Sequence, residues 1–336
     1  MNNPPSHPQS ITLQAPSRLH FGLFGWGPAA PMQFGGLGLM IQNPQLELTV
    51  QLNETDQFHL PADQLDDFKK TLENCRSSLS QKKLPTPSLQ FHLKSFPLRH
   101  SGLGSGTQRA MALATAIAFF SGYKTNSVHE LAALANRFPR SGVGIHGFFH
   151  GGLIVDKGHP ADLSGHLQIA AFDSRKYWPS QWEIILLIPN EPAGVWGLEE
   201  RKAFADLPAP PANEMAHVRD VVYNGFLPAI ESSDFASAMT ALESLQSTVG
   251  GWFAPAQGGS IYGSPLRDQL VKQMRQVGLR GVGQSSWGPT LFGFAQSTLI
   301  DSIETNLQQT MGELTQNVQI IRTGPQNQGV FEINRL

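Results

Sequence analysis

The chain has 336 residues, enough for two domains or one large one with a substantial core. Hydrophobic residues make up 40% and charged residues 15%, and the formal net charge is −2 with Lys and Arg scattered along the chain. That balance excludes a disordered chain and lacks the electrostatic footprint of a nucleic-acid or membrane-surface binder, so the expected partner is a small molecule.

Residues 1–10 are polar and proline-rich without an apolar centre, which predicts a disordered tail rather than a secretory signal. Between residues 11 and 52 four short strand-like runs, ITLQA, RLHFGLF, GGLGLMI and LELTVQL, are separated by Gly, Pro and Asn. A helix is predicted over 61–80 from the spacing of Leu65, Phe68 and Leu72, then an alternating strand over 88–96 and a buried, almost uncharged helix over 105–121. Cys75 is the single cysteine, which rules out an intramolecular disulfide and fits a reducing cytoplasm. Even the longest apolar run, 110–120, is far short of the ~20 residues that span a bilayer, so no membrane segment is expected. Ser127 with Glu130 starts a further helix in capping-box fashion, and GGLIVD at 151–156 reads as a strand.

After a polar stretch, WEIILLIP at 182–189 opens a second series: helices over 213–232, 234–249 and 264–277, strands near 281 and over 290–295, a helix after Ser297 and a last strand VQIIRT. Strands and helices come in blocks, which predicts an α+β protein of two domains, 11–165 and 166–336.

The strongest chemical signal is HSGLGSGTQ at 100–108, between a strand and a long helix. Gly102, Gly104 and Gly106 let the backbone turn tightly and expose N–H groups at a helix N-terminus, where phosphate is the natural guest; Ser105 and Thr107 add hydroxyls, and Gln108 and Arg109 follow. The same run would also serve simply as a turn and N-cap. It lacks the lysine of a Walker loop.

With APSRLHFG at 15–22 and GVGQSSWGPT at 281–290, this loop gives three motifs in an order that resembles the galactokinase/homoserine kinase/mevalonate kinase (GHMP) superfamily. The resemblance implies a GHMP-kinase-like fold, with an N-terminal β-rich domain carrying the phosphate loop and a C-terminal α/β sandwich domain. Those kinases keep an aspartate in a Ser-Gly-x-Asp stretch; here SGVGIHGFFHGG at 141–152 has Gly144 in its place, which removes the group that orients the acceptor hydroxyl. Within the superfamily the words SRLHFG, HSGLGSGTQ, SGVGIHGFFHGGLIVD, QGG and GVGQSSWGPT resemble the β-ribofuranosylaminobenzene 5′-phosphate synthase family.

That resemblance implies condensation of phosphoribosyl pyrophosphate with 4-aminobenzoate or 4-hydroxybenzoate, with release of carbon dioxide and pyrophosphate, in methanopterin biosynthesis. It implies that the loop 102–109, Arg18 and Ser141 hold the donor. Mg²⁺ is expected to neutralise the leaving group, with Asp156 and Glu199 as candidate ligands. Trp287, Phe148 and Phe149 are candidates to stack on the arene, with Arg140 to pair its carboxylate. His20 and His146 are candidate substrate contacts; a zinc site on His146 and His150 has no evident third ligand. Gln257, Gln284, Ser285 and Ser286 are uncharged groups on glycine-rich loops of the second half, and Arg201 is within the EERK run. An ATP-dependent kinase with an unusual base, or a non-catalytic phosphometabolite sensor, would use the same phosphate loop. A homodimer is expected on general grounds, since two-fold symmetric assemblies are the commonest.

Overall fold

The computed structural model describes residues 10–125, 127–137, 142–160, 169–192, 194–195 and 197–333. Its first half runs β1 (Ser10–Leu23), β2 (Met32–Gln33), β3 (Gly36–Leu52), β4 (Gln57–His59), α1 (Ala62–Gln81), β5 (Leu89–Ser95), α2 (Ser105–Phe120), α3 (Val128–Leu134), α4 (Gly142–His150), β6 (Leu153–Asp156), β7 (His159–Pro160) and β8 (Phe172–Lys176). The main sheet has the order β4-β5-β3-β6-β8, with β1 also paired to β3.

The four short runs expected between residues 11 and 52 fuse into two long strands. The prolines that read as breaks sit in a bulge: pairing jumps from Ala15↔Leu46 to Ser17↔Ile41, and the Ser17 hydroxyl donates to the Pro44 carbonyl at 2.6 Å. A bulge tolerates a residue with no N–H, so the strands continue past it. One face of α1 buries Phe68, Leu72, Cys75 and Leu79 at helical spacing, and α2 is buried along nearly its whole length. Burial pushes the Cys75 thiol up to about 12, which leaves it inert at neutral pH. As the capping pattern predicts, Ser127 Oγ accepts the Glu130 N–H at the start of α3.

The second half contains β9 (Trp182–Pro189), α5 (Gly197–Asp206), α6 (Ala212–Asp220), a π-helical stretch (Val221–Phe226), α7 (Leu227–Glu231), α8 (Phe235–Phe253), α9 (Pro265–Gln276), β10 (Arg280–Gln284), β11 (Leu291–Gln296), α10 (Ile300–Met311), β12 (Val318–Thr323) and α11 (Val330–Ile333). The antiparallel sheet order is β10-β11-β9-β12. The helix expected over 213–232 forms as α6, the π stretch and α7; Pro228 has no N–H to return to the preceding turn, and the ladder widens just before it.

The boundary anticipated at 165/166 lies outside the described residues. Because β8 pairs with β6, the chain changes sheets between Lys176 and Trp182. A shared apolar core joins the halves: Phe21 of β1 lies 5.2 Å from Phe292 of β11, and Trp178 lies 4.9 Å from Phe294, centroid to centroid. The seam between the halves is therefore a packed interior that opens into a cavity at one end. No helix of the described residues is long and apolar enough to cross a membrane.

Candidate active site

The phosphate-loop motif folds as a tight turn into α2. Gly102 (φ +84°) and Gly104 (φ +72°) both adopt left-handed conformations that a side chain would strain. Gly104 is the N-cap and brings no side-chain acceptor to the helix. The Thr107 and Gln108 N–H groups return to the Gly104 carbonyl, so the orphan donors of the first turn are those of Ser105 and Gly106, both in the cavity wall. Arg18 of β1 passes beneath Gly104 and its Nη1 donates to the Gly102 carbonyl at 2.9 Å. Arg137 Nη2 donates to Thr107 Oγ1 at 2.9 Å. An open helix N-terminus flanked by two arginines is a cradle for an anion.

The loop borders a cavity of about 1080 Å³ between the halves. Arg18, Lys70, Arg99, Arg109, Arg137 and Arg201 line it, against the carboxylates Asp67 and Glu200. This local excess of positive charge, in a chain of net charge −2, concentrates attraction for anions in one place. Another part of the wall is aromatic: Phe34, Phe204, Phe253 and Trp287, with Phe253 and Trp287 centroids 4.7 Å apart and Phe34 and Phe204 5.1 Å apart. Trp287 Nε1 donates to Glu200 Oε1 at 3.2 Å, which orients the indole. His20 also lines the cavity; burial, and then the charge of Arg18, hold its pKa well below the usual histidine range, so it stands neutral.

No protein-family model matches the chain. A protein from Methanothermobacter thermautotrophicus named beta-ribofuranosylphenol 5'-phosphate synthase is 28% identical over 338 residues, covering 96% of this chain and 98% of that one. Among solved structures, homoserine kinase from Cytophaga hutchinsonii superposes with a TM-score of 0.64 at 18% identity, covering 98% of this chain and 99% of that one. Mevalonate diphosphate decarboxylase from Enterococcus faecalis superposes with a TM-score of 0.67 at 19% identity, covering 96% and 99%. The chain is similar to that synthase over nearly its whole length and has the fold of the GHMP kinases. The α+β class and the GHMP-kinase-like fold expected from the three motifs are both borne out.

The three motifs meet, although not every residue in them faces the cavity. Arg18, His20, Gly102, Gly104, Ser105, Gly106, Thr107, Arg109, Gln257, Gln284, Ser286 and Trp287 line it. Arg109 does so as part of the wall, with its guanidinium held by Gln64 Oε1 at 2.7 Å and Asp67 Oδ2 at 3.0 Å. Gly144 stands beside Thr107 in the wall, where a Cβ would meet the Thr107 methyl at an ordinary 3.4 Å.

Several expectations are corrected. Gln108 turns away from the cavity and donates to the Gly144 carbonyl at 2.9 Å, tying α2 to α4. Ser285 is fully buried, its hydroxyl donating to the Gly102 carbonyl at 2.8 Å and accepting the His20 N–H at 3.0 Å, so it stitches the two glycine loops together. His146 lies on the opposite side of α4 from Gly144, bonded to the Ala170 carbonyl at 2.8 Å and packed on Phe172. Phe148 is core and Phe149 packs on Phe331. Asp156, a candidate metal ligand, is buried at 0% exposure and accepts the Val143 N–H at 3.0 Å and the Gly158 N–H at 2.9 Å, capping α4. Glu199 points to solvent, and its neighbour Glu200 faces the cavity. Arg140 and Ser141 lie outside the described residues.

The residues missed from sequence are Arg99, Arg137, Phe34, Phe204 and Phe253. Gly197, Glu200, Arg201 and Phe204 follow the i, i+3, i+4, i+7 rule along α5, a signal that was readable as one helix face but not as a cavity wall.

Burial holds the His146 pKa down at about 4 in the folded protein. Between its unfolded value near 6.5 and about 4 the unfolded chain binds the extra proton, so this residue's stabilising contribution is full above pH 6.5 and is lost as pH falls to about 4. Urea titrations from pH 7 to 4 are expected to show stability falling by up to about 1.4 kcal/mol per pH unit from this group, and His146→Gln to flatten that slope. An unchanged slope would place the acid-sensitive group elsewhere.

Proposed function

We propose that the chain condenses phosphoribosyl pyrophosphate with 4-aminobenzoate or 4-hydroxybenzoate, releasing carbon dioxide and pyrophosphate. The observation that carries this reading is a single cavity that joins an amide-and-arginine cradle to an aromatic wall. The cradle suits a polyanionic sugar, and flat rings suit an arene. The relative's name, a ribofuranosylphenol 5'-phosphate synthase, is consistent with that product class.

The chemistry balances without a base. The ring carbon bearing the carboxylate bonds to the anomeric carbon as the bond to pyrophosphate breaks; the ring-to-carboxylate bond then breaks, carbon dioxide leaves, and its electron pair restores aromaticity. No proton is lost, so Gly144 in place of an acid costs the reaction nothing. Arg18, Arg137 and the Ser105 and Gly106 amides stabilise the departing charge, and the aromatic wall keeps water from the ring adduct. Neutral His20 can hydrogen-bond to the sugar without adding charge.

Magnesium was expected from the resemblance, but Asp156 and Glu199 do not fit it. Among the described residues no group of three or more His, Cys, Asp or Glu side chains can hold a metal ion. On this reading magnesium arrives on the donor's own oxygens, as such ions commonly do. Kinase activity is not favoured: of the cavity's carboxylates, Asp67 is held by Arg99 and Arg109, and Glu200 by Trp287. The protein is proposed to act as a homodimer in the cytoplasm.

The test is to mix purified protein with phosphoribosyl pyrophosphate, Mg²⁺ and carboxyl-labelled 4-aminobenzoate or 4-hydroxybenzoate. Labelled carbon dioxide is expected with at least one arene; none with either would reject the reaction.

A further inference from the structure

A row of hydrogen bonds runs from the interior of the C-terminal half to the cavity wall. Glu191, just beyond β9, accepts from Arg267 Nε at 2.8 Å and from Ser264 Oγ at 2.9 Å, and Ser264 caps α9 by accepting the Arg267 N–H at 3.2 Å. The Arg267 side chain is buried, and its Nη1 donates to Gln284 Oε1 at 3.0 Å. Gln284 Nε2 donates to Gln257 Oε1 at 2.9 Å. Gln257 Nε2 is left with the Ile261 carbonyl at 3.4 Å, at the long limit of a hydrogen bond. Both glutamines line the cavity, whereas Arg267 stands behind them.

The row is closely built. A Cβ at Gly288 would stand 2.8 Å from Arg267 Nη1 and from Gln284 Cδ, and one at Gly263 would stand 3.0 Å from Arg267 Nη1 and Gln257 Oε1. Such crowding keeps the guanidinium and the two amides side by side, with Gln284 Nε2 also 3.4 Å from the Ser286 carbonyl, and the direction of each amide is what its partners set. A glutamine amide has nearly the same shape either way round, so its partners choose its direction. A guanidinium can only donate. Gln284 must therefore turn its oxygen to Arg267 and its NH₂ to Gln257. Gln257 must in turn face Gln284 with its oxygen, leaving its NH₂ as the group a ligand can recruit.

We propose that Arg267 is a positioning residue which, through Gln284, makes Gln257 a hydrogen-bond donor, so that this part of the cavity seats an acceptor-only oxygen of a carboxylate or phosphate. The inference rests on the proposed reaction, whose two substrates both carry such oxygens. Gln257 follows Phe253 by four residues and Gln284 precedes Trp287 by three, which sets the seat beside the aromatic wall.

The experiment is calorimetric titration of phosphoribosyl pyrophosphate and, separately, of 4-aminobenzoate and 4-hydroxybenzoate into wild type, Arg267→Gln, Arg267→Lys and Gln257→Glu. Arg267→Gln can accept as well as donate, so the ladder is free to reverse, and Gln257→Glu shows the cavity only acceptors. Each is expected to weaken one class of ligand by roughly ten-fold or more while the other holds, and Arg267→Lys, a pure donor, to recover most of the loss. The ligand that weakens, arene or sugar phosphate, is the one whose oxygen occupies the seat. Lys272→Gln, exposed on the same helix, is expected to leave both affinities unchanged.

Removing the Arg267 charge leaves Glu191 without that partner and can cost the fold. Gln284→Glu keeps Arg267 paired, turns the Gln257 NH₂ inward and should give the same selective loss in a folded protein. Affinities that do not move in Gln284→Glu and Gln257→Glu, or that fall equally for both ligands, overturn the relay. A wild type that binds both ligands and releases no carbon dioxide overturns the reaction alone. One that binds neither overturns both.

Discussion

Gly102→Ala is expected to unfold the protein more easily by roughly 3 to 4 kcal/mol and to remove its turnover. The added methyl would stand 2.3 Å from the Ser285 carbonyl oxygen and 3.2 Å from that of Gly288, both backbone atoms of the facing loop. The φ of +84° adds strain of its own for any residue with a Cβ. Moving the loop to relieve the contact would break the two bonds that the Gly102 carbonyl accepts, from Arg18 Nη1 at 2.9 Å and Ser285 Oγ at 2.8 Å. Gly104→Ala is the control. Its nearest atom is Arg18 Cγ, at 2.6 Å, part of a flexible side chain that can swing aside, so stability should fall less while ligand affinity still suffers. Urea unfolding and labelled carbon dioxide release check both; a Gly102→Ala protein within about 1 kcal/mol of wild type would mean that the two loops do not meet as described.

Ser105→Asp separates binding from folding because the two effects have opposite signs. Ser105 occupies the first position of α2, where a carboxylate interacts favourably with the helix dipole, by about 0.3–1 kcal/mol. The same charge stands in the wall of the cradle, among the orphan amides and near Arg18 and Arg137. It would occupy the field meant for the donor's phosphates and repel them. Thermal unfolding should therefore occur at the wild-type temperature or slightly above, while affinity for phosphoribosyl pyrophosphate falls by roughly a hundred-fold or more. Undiminished donor affinity in a folded variant would remove the phosphate loop from the site.

Much of this was legible in order along the chain. Ser127 before Glu130 and the glycine run before an alanine-rich helix each carry their own local chemistry, and the structure places α3 and α2 where those signals stand. Pro16 and Pro44 misled because proline's missing N–H signals a break unless the partner strand bulges at the same place, and pairing partners are not written locally. His146, expected at the substrate, lies away from the cavity for a related reason. Spacing puts His146 and His150 on one side of a helix and cannot say whether that side meets a cavity or Phe172.

The sequence by itself determined the kinds of element, the glycine turn into α2, the position held by Gly144 and the resemblance that pointed to the fold, because turns, caps and periodicity depend on neighbours a few residues apart. Only the tertiary structure decided which side of each element faces the cavity. Arg18 and Arg137 reach the loop from β1 and from beyond α3, and Phe34, Phe204, Phe253 and Trp287 form one wall from four distant segments. Such meetings follow from burying two sheets' worth of apolar surface at once, a condition on the whole chain that no short stretch of it expresses.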